Sequence, residues 1–498
     1  VDDRLRIEYI DWRLVVTDFK IMRVQRRVAI AAVALLAAVV GMTGCVGVSD
    51  VQQTAEFMEH YRAGDFAAAS SLIGGPTGLD YQADNLLTSL HVAAALRNEQ
   101  RHDAARVAFD RAEGQLLWKA DEVSSVEDVL GVGLSLIASD LALSYHGTIY
   151  EGVMVNTYKA LDALAVGDVD RARVEFNRAA QRQDNAVDQL AVKVGALTAN
   201  EDEEAQQQHR EEIDEAMAEV MDPDGPVARR LDAVESLGQY RGLRNPFTDW
   251  LHGTFRLATG EANRASNLLR DAVAVDGRRN RHAITDFAAA ERIAQGAKAE
   301  SDRVFVIHED GLGPRLEQFR FDVFVPTEHG LIAVGTALPS LFPGTPAYGS
   351  LTIRADGRTT ETEPLLNLDR YVATEFRAGY DGVVFKAVAA TVIRVLVQAE
   401  LQKGSDSGGF FGALANVVVP AAATIVNQAD TRSWRALPHT IGIASLPRPA
   451  DGILRIGAAG APGIGEVSLP PGRFVIVTVT TTRPGAPPAL NTFSLPGG

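Results

Sequence analysis

The chain has 498 residues, 46% hydrophobic and 22% charged, with one cysteine and a formal net charge of −16. This composition supports a sizeable core and excludes a mainly disordered chain. A lone cysteine excludes a disulfide scaffold and any cysteine-rich metal or iron–sulfur site. The acidic balance argues against a protein that grips a nucleic-acid backbone, so no nucleic-acid partner is expected.

Residues 1–21 carry five acids and four bases, an unsuitable start for an export signal, and read as an upstream mis-start. Met22 opens a basic run with Arg23, Arg26 and Arg27, and the 13 residues Val28–Val40 are apolar throughout. At about 1.5 Å per residue this run is too short for the ~30 Å of a bilayer core, so it reads as a signal peptide over 22–44. Met42-Thr43-Gly44-Cys45 closes it and resembles a bacterial lipobox, which implies an acylated Cys45 as membrane anchor. Val46, where Asp would imply inner-membrane retention, points to the outer membrane, periplasmic side. After residue 44 the chain has 41 basic and 59 acidic residues, a net charge of −18. Attachment must therefore come from lipid insertion rather than attraction to anionic headgroups.

Residues 45–300 read as an all-α repeat domain, rich in Ala, Leu, Glu, Gln and Arg at helical spacing. One pattern recurs: Ala63-Gly64-Asp65 leads to Ala69, Glu99-Gln100-Arg101 to Ala105, Val166-Gly167-Asp168 to Ala172, and Thr259-Gly260-Glu261 to Ala265. Gly stops one helix by accepting positive φ, an acid suits the next helix's start, and the small Ala admits close helix approach. The first two spacings fit the ~34-residue tetratricopeptide period, and the third requires an insertion. Asn200–Asp224, mostly polar until Met217, reads as that insertion, a solvated helix or arm. A generic helix bundle with chance Gly-Asp turns is the alternative.

Residues 301–498 read as an α+β domain with helices packed on one face of a mainly antiparallel sheet. Alternating strands are predicted at 304–309, 319–325, 331–338, 350–355, 440–446, 452–457 and 473–481. Between them lie a helix over Asp369–Gln402, whose Arg370, Arg377, Lys386 and Arg394 oppose a membrane reading, and the apolar stretch Phe410–Gln428. Gly311-Leu-Gly-Pro and the glycine-rich run from Gly457 read as turns.

No phosphate-cradling loop, zinc helix or nucleophile elbow is present, and no catalytic residue, metal ligand or cofactor is assigned. His308-Glu309-Asp310 reads as strand-end turn chemistry rather than a metal site. Asn245 is expected to cap a helix that Pro246 begins. Asp430-Thr-Arg432-Ser-Trp434-Arg435 sets an aromatic between two guanidinium groups, as a structural clamp or as a patch for a partner or glycan.

Taken in order, Cys45, YEGVMVNTYKALDALAVGD (150–168), RNPFTDWLHG (244–253), VFVIHEDGLGP (304–314) and DTRSWRALP (430–438) resemble an uncharacterised family of Gram-negative lipoproteins with tetratricopeptide-like repeats. Members are often encoded near a lipoprotein that activates penicillin-binding proteins. The resemblance implies no activity and no catalytic residues. The expected role is an outer-membrane lipoprotein that scaffolds other envelope proteins. Tyr150, Asn156, Tyr158, Asn245 and Trp250 would line its repeat groove, with Arg432, Trp434 and Arg435 as a second contact. The alternatives are a cell-wall-active enzyme with its site in 301–498, or a structural component of an envelope assembly.

Overall fold

The computed structural model describes residues 52–81, 85–116, 145–198, 206, 208–298, 302–327, 330–403 and 428–496. Residues 1–44, Cys45 and the apolar stretch 410–427 lie outside the described residues.

Helical hairpins come first: α1 (52–62) with α2 (Phe66–Gly74), α3 (Leu86–Asn98) with α4 (His102–Gln115), and α5 (Ile149–Ala165) with α6 (Val169–Thr198). After α7 (Arg210–Val220) and α8 (Pro226–Ser236) come α9 (Pro246–Ala258), α10 (Ala262–Asp276) and α11 (Arg281–Ala294). The four recurring turns share one hydrogen-bond pattern. Asp65, Arg101, Asp168 and Glu261 each donate N–H to a carbonyl five residues back, and Ala69, Ala105, Ala172 and Ala265 each donate to one of those same four residues. Gly64, Gly167 and Gly260 sit at φ 77, 78 and 82°, the left-handed region that favours glycine. Gln100 occupies the same place at φ 61°, and its side-chain Nε2 donates to the Leu490 carbonyl at 2.8 Å, a tie that glycine lacks. All four alanines are fully buried, as close helix approach requires.

The second half supplies three sheets. One is five-stranded in the order β11 (Ala489–Ser494), β10 (Phe474–Thr481), β1 (Arg303–Asp310), β7 (Thr440–Pro447), β6 (Glu363–Asn367). Only β1 and β10 run parallel, with Phe305 opposite Ile476, and the other pairs are antiparallel. A four-stranded antiparallel sheet has the order β5 (Arg358–Glu361), β4 (Leu351–Ala355), β8 (Ile453–Ala458), β9 (Ala461–Ser468). The hairpin β2 (Arg315–Thr327) with β3 (Gly330–Phe342) stands apart, and the long helix α12 (Leu368–Lys403) packs beside it.

Strand alternation assigns the layers. Phe305, Ile307, Ile441, Ile443, Phe474, Ile476 and Phe493 face the helices and join a core that also holds Phe57, Phe109, Tyr158, Trp250 and Phe255. Val304, Val306, Ala444, Leu446, Val475 and Val477 face the four-stranded sheet and close a second core with Leu351, Ile353, Leu454 and Ile456. The helices expected on the sheet therefore come from the first half of the chain, and a second sheet covers the other face. Composition does change near residue 301, from helical to α+β, but the core runs through that boundary.

The expected arm is also corrected. Ile213, Ala216 and Val220 of α7, with Val227 and Leu231 of α8, are buried against Val323, Val325 and Leu338 of the hairpin and against Tyr380, Val384 and Val388 of α12. Acidic residues flank α7, but its apolar positions recur at helical spacing and form one packed stripe.

Candidate functional site

The segments singled out in the sequence meet inside the molecule. Trp434 is edge-on to Phe109 at 5.8 Å and to Tyr158 at 5.9 Å, and its backbone N–H donates to Glu151 Oε1 at 2.9 Å. Trp250 packs edge-on to Phe305 at 5.9 Å and donates Nε1–H to Asp286 at 2.9 Å. Asn245 caps α9, accepting from the backbone N–H groups of Phe247 and Thr248, with Pro246 in the first turn. Tyr150 lies edge-on to Tyr371. Asn156 bridges Glu113 and Glu175 through Nδ2 and accepts from Arg182. Arg432 makes a two-point contact with Asp430, at 2.9 and 2.7 Å, and stacks over Tyr145. Tyr150, Asn156, Tyr158, Asn245, Trp250, Arg432 and Trp434 are all buried, so the expected groove and patch are not open surface. Arg435 is half-buried, and its backbone N–H donates to His91 Nε2. Aromatic and amide side chains suit a partner's surface, but they suit a helix–sheet interface as well.

Charge is buried along that interface. Arg97 is held by both oxygens of Glu309, at 3.0 and 2.7 Å, and its guanidinium lies 4.1 Å from the centre of the Tyr158 ring. Thr480 donates to the same carboxylate. His102 Nδ1 donates to Asp162 at 2.8 Å, because its Nε2 is taken by Asn491 Nδ2 at 2.7 Å. Burial raises Asp162 above the ordinary carboxylate range, against the pull of His102 and Arg97. This couple has the composition of a base and its orienter, but the outward nitrogen is already satisfied and faces no nucleophile. The triplet His308-Glu309-Asp310 lies within β1 rather than in a turn. Glu309 faces the helices, while His308 bonds Thr481 and Asp310 accepts backbone N–H groups from residues 347–349.

Asp110, Glu113 and Glu175 converge as a metal site would, but the cation between them is Lys159. Its Nζ lies 2.7 Å from Asp110 and 3.2 Å from Glu175, and bonds Glu113 as well. Burial opposes ionisation of Glu113, and hydrogen bonds from Asn156 and Lys159 outweigh it, holding the carboxyl at about 2.

A cavity of about 370 Å³ opens between the hairpin base, α12, the start of α5 and residues 428–433. The first turn of α5 forms one wall and is fully capped. Thr148 and Glu151 form a reciprocal capping box, and Glu375 accepts the backbone N–H groups of Ile149 and Tyr150 at 3.1 Å each. Lys193 neutralises Glu375 at 2.7 Å. Burial pushes Glu151 up to about 7, partly offset by the Trp434 N–H and the Tyr145 hydroxyl. Along α12, Phe376, Tyr380, Val383, Ala387, Ala390 and Arg394 recur at helical spacing and line the opposite wall. The sequence analysis missed this site because four separated segments build it. Of the residues singled out in the sequence, Tyr150 and Arg432 line this cavity, together with the basic Lys386 and Arg394 of α12.

At the far end of the hairpin, Phe324, Leu331 and Ile332 are 38, 67 and 43% exposed. Pairing of Phe324 with Ala333 and of Pro326 with Leu331 sets an apolar face away from α12. No described helix is long and apolar enough to cross a membrane.

Compared with protein-family models, curated proteins and solved structures, the chain finds no match.

Proposed function

We propose that this chain is an outer-membrane lipoprotein, anchored through acylated Cys45, that scaffolds another envelope protein on the periplasmic side. Its helical pairs are read as tetratricopeptide-like, because four turns repeat the same φ and hydrogen bonds around a buried alanine. The carrying observation is the exposed apolar end of the hairpin β2–β3, where Phe324 and Leu331 lie on the face away from α12 and Ile332, paired with Val325, is exposed at the tip of the other face. Long apolar hairpins with free edges are a liability in an isolated protein and a docking element in an assembled one. The contact surface therefore moves from the repeat groove to residues 324–333. This supports a scaffold over an enzyme, since the carboxylates on the cavity wall, Glu375 and Asp430, hold Lys193 and Arg432.

The test is photo-crosslinking in the intact envelope from position 331, with position 72 as control, since Leu72 is an exposed apolar residue on α2. Position 331 is expected to give one dominant protein adduct and position 72 none. Equal patterns from both, or Cys45→Ser protein that stays membrane-bound and fully processed, would overturn the proposal.

A further inference from the structure

We propose that the cavity at the hairpin base binds an anionic amphiphile: an acyl chain ending in a carboxylate or a phosphate-bearing head. The inference does not depend on the scaffold reading.

Charge comes first. Lys193, Arg315, Lys386, Arg394 and Arg432 line the cavity against Glu375 and Asp430, five cations to two carboxylates, in a chain whose formal charge is −16. Lys193 and Arg432 are matched by those two carboxylates, and Arg315 by Glu317 at 2.7 Å. Among the described residues Lys386 has no ion pair, so the lining keeps an excess of positive charge. A local field of opposite sign to the whole molecule selects an anion rather than collecting one.

The walls come second. Leu338, Leu341, Val372, Phe376 and Val383 give the cavity a largely apolar lining, with space for a small ligand at the lower end of the usual ~300–1,000 Å³. An inorganic anion would leave this surface unused, and a purely apolar molecule would leave Lys386 unmatched. A chain with a charged end satisfies both.

Unmet hydrogen-bond capacity comes third. Tyr380 and Ser433 both line the cavity, at 2 and 6% exposure, and among the described residues neither hydroxyl has a hydrogen-bond partner. They are two of seven such buried hydroxyls among the described residues, and these two border the cavity, where an acceptor head could take their hydrogen bonds. Phe376, Val383, Ala387 and Ala390 lie along one face of α12, so the acyl chain would follow that helix.

The experiment uses the purified full chain, free of anionic surfactant, with a fatty acid carrying a terminal diazirine as probe. Photolabelling is expected on peptides containing Leu338 or residues 376–390. Lysophosphatidylglycerol and palmitate are the competing anions, and the stronger identifies the phosphate or the carboxylate as the preferred head. Lysophosphatidylcholine is expected to compete at least fivefold less well. Lys386→Glu and Ala387→Trp, checked for unchanged circular dichroism and Tm, are each expected to reduce labelling at least fivefold. Labelling spread evenly over the surface, no labelling, equal competition by lysophosphatidylcholine, or full labelling of both folded variants would overturn the proposal.

Discussion

The helix–sheet interface and the hairpin lobe treat polar groups in opposite ways. At the interface, Arg97, Glu309, His102 and Asp162 are buried and, with half-buried Asn491, tied to one another, and large aromatic rings fill the space between. In the lobe, apolar residues of α12 pack against the hairpin and α7, and some of them also border a cavity. There, among the described residues, Lys386 has no ion pair and the Tyr380 and Ser433 hydroxyls have no hydrogen-bond partner. Both regions combine aromatic, basic and amide side chains. Exposure decides which is structural and which can bind, and sequence does not report exposure.

The sharpest way to break the comparison is to uncouple the interface. Arg97→Met leaves Glu309 buried without its counter-charge, and a loss of about 3–5 kcal/mol is expected by urea unfolding. Adding Glu309→Gln should return at least half of that loss, because the stranded charge is gone. A single variant within about 1 kcal/mol of wild type would mean that the aromatic packing alone holds the layers.

Next is the pH dependence of the wall between the two regions. The folded Glu151 carboxyl is raised from 4.5 to about 7 by burial, so the folded state holds its proton more tightly than the unfolded chain does. That contribution is fully present below pH 4.5 and is lost as pH rises through about 7. Its size is about 3 kcal/mol across this window. Glu151→Gln is expected to flatten the fall in Tm over that range, and an unchanged slope would show that the carboxyl is not buried as described.

The smallest effects lie in the turns. Gly64 and Gly167 have nearly equal φ, 77 and 78°, but a Cβ on Gly64 would lie 2.7 Å from the Pro487 carbonyl oxygen, whereas one on Gly167 would meet nothing within 4 Å. Gly167→Ala is therefore expected to cost about 1 kcal/mol, the conformational term alone. Gly64→Ala should cost measurably more in thermal unfolding, and equal losses would mean that this turn does not rest on the segment around Pro487.

Much of this architecture was legible locally. Gly with a following acid marked three helical hairpins and Gln100-Arg101 a fourth, each with an alanine at fixed offset, and alternation marked β1–β4, β7, β8 and β10. The strands β5, RTTE, β6, EPLLN, β9 and β11 were not, because their strand character comes from their neighbours rather than from pattern. Strand β9 takes up most of the glycine-rich run read as a turn, of which only the β8–β9 connection turns. Asn245 and Pro246 announced a helix start through local chemistry alone. Tyr150, Asn156, Tyr158 and Trp250 could not announce their burial, since it depends on β1 and the 430–438 segment, distant in sequence. The cavity was illegible for the same reason.

The hydrogen bond from Asn491 to His102 joins residues 389 positions apart, and Gln100 reaches the neighbouring Leu490. The second helical pair therefore gains its footing only when β11 is in place beside β10. A chain emerging vectorially, from a ribosome or through a translocon, must hold its early helices partly open until these late residues arrive. Shortened products ending before residue 489 would expose the apolar flank of β10 and should be degraded or aggregate, so that a single edge strand decides whether the early helices are retained.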